Sequence, residues 1–196
     1  MKHFNSSNSP DIRVLNIWSR TGNAIPYIRK KLPNAIIYNF EASSKMIKIA
    51  ENIHSHESFY QTDLNSIDLA NNYIDIIISP ETLEHTPRPE ILIKEFYRVL
   101  KPGGRLILSL PPRIADFHQW VYTTFVGGHG EGPRKGIPSK VIIKILKDEG
   151  FKIIKHKSIL LIPIGPKVLI KFGNYLTELL PFLRELGVMQ FYICEK

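Results

Sequence analysis

Apolar residues along this chain fall into two rhythms. Short runs rich in Ile, Val, Leu and aromatic residues predict strands at Arg13–Trp18, Ala35–Phe40, Ser58–Gln61, Ile74–Ser79, Arg105–Leu110, Phe151–Ser158 and Val188–Cys194. Between them, apolar positions spaced three and four apart predict helices at Asn23–Leu32, Ser43–Ile53, Pro89–Leu100, Ser139–Glu149 and Pro166–Leu186. Pro26 falls in the first turn of its helix, where a missing N–H costs little. Pro181 predicts a break or kink in the last helix. Strands alternating with helices favour an α/β fold, a doubly wound and mostly parallel sheet of seven strands covered on both faces. No internal repeat or low-complexity tract interrupts the pattern.

At 196 residues and 43% hydrophobic content the chain suits a single domain, residues 1–196, with one well-buried core. Within it, 11–110 reads as a ligand-binding core and 139–196 as C-terminal helices and strands. The stretch between, 111–138, is long and irregular. It contains His118, Trp120, Tyr122, His129 and the run Gly127-Gly128-His129-Gly130-Glu131-Gly132-Pro133, and it follows the fifth strand. A loop of that length at the carboxyl edge of an open sheet is expected to cover substrate.

The first ten residues lack the apolar core of a signal peptide, and no apolar run approaches the ~18 residues that span a bilayer. A cytoplasmic protein is expected. The only cysteine, Cys194, has no partner for an internal disulfide and no neighbours with metal-ligand spacing, so no metal site is expected. The formal charge of +8 is uneven: residues 131–171 hold ten Lys/Arg against three acidic residues, +7 of the total. Lys140, Lys144 and Lys147 have the spacing of a solvated helical stripe. The segment as a whole has the charge to contact an anionic membrane or a partner protein, with nucleic acid a weaker option.

Chemistry concentrates after the first and fourth strands. The turn Asn16-Ile17-Trp18-Ser19-Arg20-Thr21-Gly22 joins a strand to a helix, Glu41 ends the second strand with Met46 five residues on, and Asp63-Leu64 follows the third. After the fourth strand comes Ser79-Pro80-Glu81-Thr82-Leu83-Glu84-His85, and Lys101-Pro102-Gly103-Gly104 precedes the fifth. In these motifs, from about Val14 to Ser109, the chain resembles the class I S-adenosylmethionine (SAM) dependent methyltransferases, type 11. The resemblance is to the branch acting on small molecules and on quinone or lipid precursors.

The resemblance implies a Rossmann-like sheet whose last strand is antiparallel, and SAM as cofactor. It places Asn16, Trp18, Arg20 and Gly22 where relatives carry an acidic residue and then Gly-x-Gly-x-Gly. It further implies that Glu41 accepts the ribose hydroxyls, that Asp63 meets the adenine amino group with Leu64 along the ring, and that Ser79 flanks the transferred methyl group. Lys101-Pro102-Gly103-Gly104 reports fold alone.

Only Gly22 of the three glycines remains. Bulk at Trp18 and Arg20 has two readings. The side chains point away or close the pocket; or Arg20 faces it and pairs with a carboxylate or phosphate, which its planar fork suits. His85, with an unperturbed pKa near ~6.5, and Glu81 are the candidate catalytic residues, for taking a proton from an acceptor.

The residues Ile78-Ser79-Pro80-Glu81 lack the Asn/Asp-Pro-Pro-aromatic turn used to methylate base amino groups, and Cys194 is far from the centre where a nucleophilic thiolate is needed. The expected activity is therefore methyl transfer to oxygen, nitrogen or carbon of a small or lipid-like molecule. The alternative is an inactive binding or scaffold protein on the same fold. Toward the C-terminus, Ile159–Ile164 and the helix bearing Val168, Leu169, Phe172, Leu176 and Leu179 are unusually apolar beside Lys155, Lys157, Lys167 and Lys171. An ordinary sheet-covering helix is expected there, with membrane docking as the alternative.

Overall fold

The structure, a computed structural model, describes residues 11–63, 65–112, 136–159 and 167–196. Seven strands form one sheet: β1 (Arg13–Ile17), β2 (Ile36–Glu41), β3 (Phe59–Gln61), β4 (Ile74–Pro80), β5 (Leu100–Leu110), β6 (Lys152–Ile159) and β7 (Met189–Glu195). Among the described residues the helices are α1 (Ile25–Lys31), α2 (Ser44–Ile53), α3 (Pro89–Val99), α4 (Ser139–Asp148) and α5 (Lys167–Leu179), with 3-10 turns at Leu83–His85 and Pro181–Leu186.

The strand order is β3-β2-β1-β4-β5-β7-β6. β1 through β5 pair in parallel, and β7 runs antiparallel between β5 and β6. From β1 the chain winds outward through β2 and β3, then returns to place β4 on the other side of β1. That reversal leaves a crevice beyond the carboxyl ends of β1 and β4, the place where open α/β sheets bind ligands.

Period-two alternation along β1 divides its side chains between the faces. Leu15 and Ile17 join the larger core with Ile77, Phe96, Leu106 and Ile142, while Val14 joins Ile25, Ile28 and Ile37 under α1. Ser43 starts α2 by accepting from the Met46 N–H at 3.4 Å, and Arg29 grips Glu57 with two side-chain hydrogen bonds at 2.6 and 2.8 Å.

Three boundaries differ from the expectation. α1 begins at Ile25 because residues 19–25 form successive turns, with Gly22 N–H donating to Ser19 O and Ile25 N–H to Gly22 O. β5 begins at Leu100: Gly103 takes a φ of +76° and its N–H donates to Lys196 O, so Lys101–Gly104 is paired strand and not a bare turn. The last helix ends at Leu179, and Pro181 opens a separate 3-10 turn, which is the expected break. Most of the proposed substrate loop, residues 113–135, lies outside the described residues, as does Leu64.

Candidate functional site

The turn after β1 is built on left-handed backbone. Trp18, Arg20 and Gly22 have φ of +56°, +51° and +81°. Such angles suit glycine and strain any residue carrying a β-carbon. At Gly22 a Cβ would also meet the His54 ring at 2.5 Å and the Ile25 side chain at 2.9 Å, so any other residue would force these neighbours to move. Trp18 and Arg20 hold the same conformation with large side chains. The Trp18 indole stacks on the His85 imidazole, centroids 5.5 Å apart and planes 13° from parallel, and the Arg20 guanidinium carbon lies 5.7 Å from the indole centroid. Ring contacts thus link the turn after β1 to the segment after β4.

Beneath the turn, Glu41 is 2% exposed. One carboxylate oxygen accepts the Arg20 N–H at 2.7 Å and the other the Ser43 N–H at 3.0 Å. Asn16, fully buried, donates to Asn39 Oδ1 at 2.9 Å, and Asn39 donates to Ser58 O at 3.1 Å. These bonds lace the ends of β1, β2 and β3 together.

Four buried polar atoms here have no hydrogen-bond partner among the described residues: Asn16 Oδ1, Trp18 Nε1, Ser19 Oγ and Ser79 Oγ. An orphaned buried polar atom costs roughly 1–3 kcal/mol, so a cluster of them beside a crevice marks a place shaped for polar contacts beyond those the chain itself makes.

A cavity of about 430 Å³ opens at this point. Asn16, Trp18, Ser19, Arg20 and Asn23 line it from the turn, Met46 from α2, and Pro80 and Glu81 from the end of β4. Glu81 is also left-handed, at φ +48°, and its N–H donates to Ser109 O at 2.9 Å, which aims the chain out of the sheet. His85 stacks on Trp18 behind the cavity wall. Asp63 is exposed and spends one oxygen on its own turn, accepting from Asn65 and Ser66 N–H at 2.9 and 3.1 Å. It stands outside the cavity wall.

The fold brings Asn16, Trp18, Arg20 and Glu81 to the cavity wall, with Gly22 in the same turn, Glu41 bonded to the Arg20 N–H, His85 stacked on Trp18 and Ser79 next to the lining residue Pro80. Ser19, Thr21 and Asn23 also belong to that wall. Thr21 and Asn23 hydrogen-bond each other at 3.1 Å, and a polar run between a strand and a helix was their only signal.

Residues 15–108 match a family profile described as a methyltransferase domain. Over that stretch the chain is similar to the class I methyltransferases. It is 26% identical over 161 residues to demethylmenaquinone methyltransferase of Thermotoga maritima, covering 72% of this chain and 70% of that one. It is 32% identical over 93 residues to a ubiquinone biosynthesis O-methyltransferase of Coxiella burnetii, covering 45% of this chain and 39% of that one. A crystal structure of an S-adenosylmethionine dependent methyltransferase from Mesorhizobium loti superposes with a TM-score of 0.71 at 15% identity, over 95% of this chain and 91% of that one.

S-adenosylmethionine is the cofactor of this family, and the residues of the crevice fit it. The turn keeps its left-handed backbone without two of its glycines, orphaned acceptors and donors lie at the cavity, and each Glu41 oxygen, with one N–H bound, retains acceptor capacity.

Proposed function

We propose that this methyltransferase transfers a methyl group from SAM to a small or lipid-like acceptor, with quinone-type rings as the leading class. The observation that carries the reading is the left-handed turn at Trp18, Arg20 and Gly22, latched to Glu41 by the Arg20 N–H. The likeness to the Thermotoga maritima and Coxiella burnetii enzymes supports the acceptor class.

In this reading Glu41 receives the ribose hydroxyls on the lone pairs that Arg20 and Ser43 leave open. Asp63 offers its second oxygen to the adenine amino group. Asn16, Ser19 and the N–H groups of the turn hold the amino-acid end, and the Arg20 fork suits its carboxylate. The bound cofactor supplies a methyl carbon activated by a sulfonium. Trp18 and His85 wall the reaction space and exclude water, Ser79 and Glu81 border it, and either His85 or Glu81 accepts the proton of an acceptor hydroxyl.

A second reading, a non-catalytic binding module, rests on the burial of Glu41 and on the bulk at Trp18 and Arg20. Isothermal titration of the whole chain with SAM and with its demethylated product separates the two. Heat with one-site stoichiometry, followed by labelled-methyl transfer to a hydroquinone, is the expected result. No heat at millimolar ligand, with heat restored by Trp18→Gly plus Arg20→Gly, would establish a closed relic.

A further inference from the structure

α5 is inside out for a helix that covers a sheet. Its buried residues are the small Gly173 and Thr177, while Val168, Phe172, Tyr175 and Leu179 are 75%, 53%, 59% and 59% exposed. Those four, at spacings of four, three and four, form one straight stripe, and Leu169, 48% exposed, widens it.

The orientation is held by specific contacts. Thr177 Oγ1 donates to Ser158 O at 2.8 Å, Arg184 Nε donates to Thr177 O at 3.3 Å, and Lys157 donates to Glu178. Small residues facing β6 let the helix lie close to the strand, so its large side chains have nowhere to point but outward.

α5 therefore covers β6 through its small residues, and the contiguous apolar stripe on its far side needs another partner. Its charge says which. Lys167 and Lys171 border the stripe on the helix and Lys155 is exposed on β6, within a segment dominated by lysine. An anionic lipid surface takes the apolar stripe and these lysines at once.

We infer that α5 docks this methyltransferase on anionic membrane surfaces, with Val168, Phe172, Tyr175 and Leu179 dipping below the headgroups and Lys167 and Lys171 among the lipid phosphates. The geometry suits a helix lying in the interface. No helix among the described residues is long and apolar enough to cross a membrane. The inference stands apart from the acceptor assignment, because docking needs neither cofactor nor acceptor.

Co-sedimentation of the full chain with vesicles of phosphatidylcholine, with and without phosphatidylglycerol, tests it. Binding is expected only to the anionic vesicles and is expected to fall with salt. Lys167→Gln and Lys171→Gln should each weaken it about fivefold. Phe172→Ser should weaken it roughly tenfold or more, given the apolar area a buried phenyl contributes. Tyr27→Ser, at a 76% exposed aromatic on α1, should leave it unchanged. Circular dichroism and SAM titration of the variants confirm that they are folded.

No binding, equal binding to neutral vesicles, or binding indifferent to Phe172→Ser would overturn the inference. So would a dimer in sedimentation equilibrium that Phe172→Ser dissolves, since a second copy would then cover the stripe. Docking without methyl transfer to any quinone-type acceptor leaves this inference standing and removes the acceptor assignment alone.

Discussion

Trp18 and Arg20 carry full side chains in a conformation that glycine adopts at little cost, with φ of +56° and +51°. Each such residue stores on the order of 1–3 kcal/mol of backbone strain. Arg20 is half-buried and its backbone N–H, not its side chain, makes the bond to Glu41. Arg20→Gly is therefore expected to stabilise the fold by up to about 1 kcal/mol, after the entropy a glycine restores to the unfolded chain, while Arg20→Ala should show no such gain. Urea unfolding of both variants measures this. A loss above about 1 kcal/mol in Arg20→Gly would mean that side-chain contacts outweigh the strain. The missing glycines are visible in the sequence, but their conformation is not. A residue's identity limits its backbone angles without selecting one, and the bonds to Phe40, Ser19 and Glu41 make the selection.

Among the elements, α3 is secured by a pair on its outer side. Arg98 Nε and Nη2 donate to the two oxygens of Glu95, both at 2.8 Å, and the same guanidinium donates to the carbonyls of Ile67 and Leu69 while Ile67 N–H donates to Glu95 at 2.9 Å. This ties the 65–72 segment to the helix. The Arg98 hydrogen bonds, with help from Ile67 N–H and against the cost of burial, hold the Glu95 carboxyl below its ordinary value. A depressed carboxyl stabilises the fold above the unfolded-state pKa, and that contribution is lost as pH falls through the folded-state value. Glu95→Gln should cost about 2 kcal/mol at neutral pH, as expected for hydrogen bonds to a charged group. The gap to the native protein should close as the pH is lowered into the acid range; a gap independent of pH in thermal melts would rule the charge out as its source. The helical spacing of α3 and of α5 was plain in the sequence. Which face of α5 turns inward was not, because Gly173 and Thr177 look like breaks in an apolar helix until β6 is seen to need small neighbours.

At the scale of the molecule, β7 closes the sheet by fitting antiparallel between β5 and β6, and its side chains complete the larger core. Cys194, fully buried there, has its thiol pushed up to about 12 by burial. With so little thiolate and no access, it should resist Ellman's reagent at pH 8 in the native protein and react fully in denaturant. Rapid native reaction would show that β7 opens readily. Next to it, burial raises Tyr192 and lowers His156, which stack at 4.3 Å, so both rings are neutral at pH 7.

The sequence by itself determined the alternation of strands and helices, and with it the class of sheet, because each element needs a matching apolar period to be buried. It also marked the crevice, since Glu41 ends β2 and Ser79-Pro80-Glu81 lies at the end of β4. Three things were left to the tertiary structure. Glu41 proved to be latched by the Arg20 and Ser43 N–H groups, Asp63 to be turned on its own loop, and Trp18 to be stacked on His85. Each depends on which strands lie side by side, and strand order is set by packing between segments far apart in the chain, where no local pattern reaches.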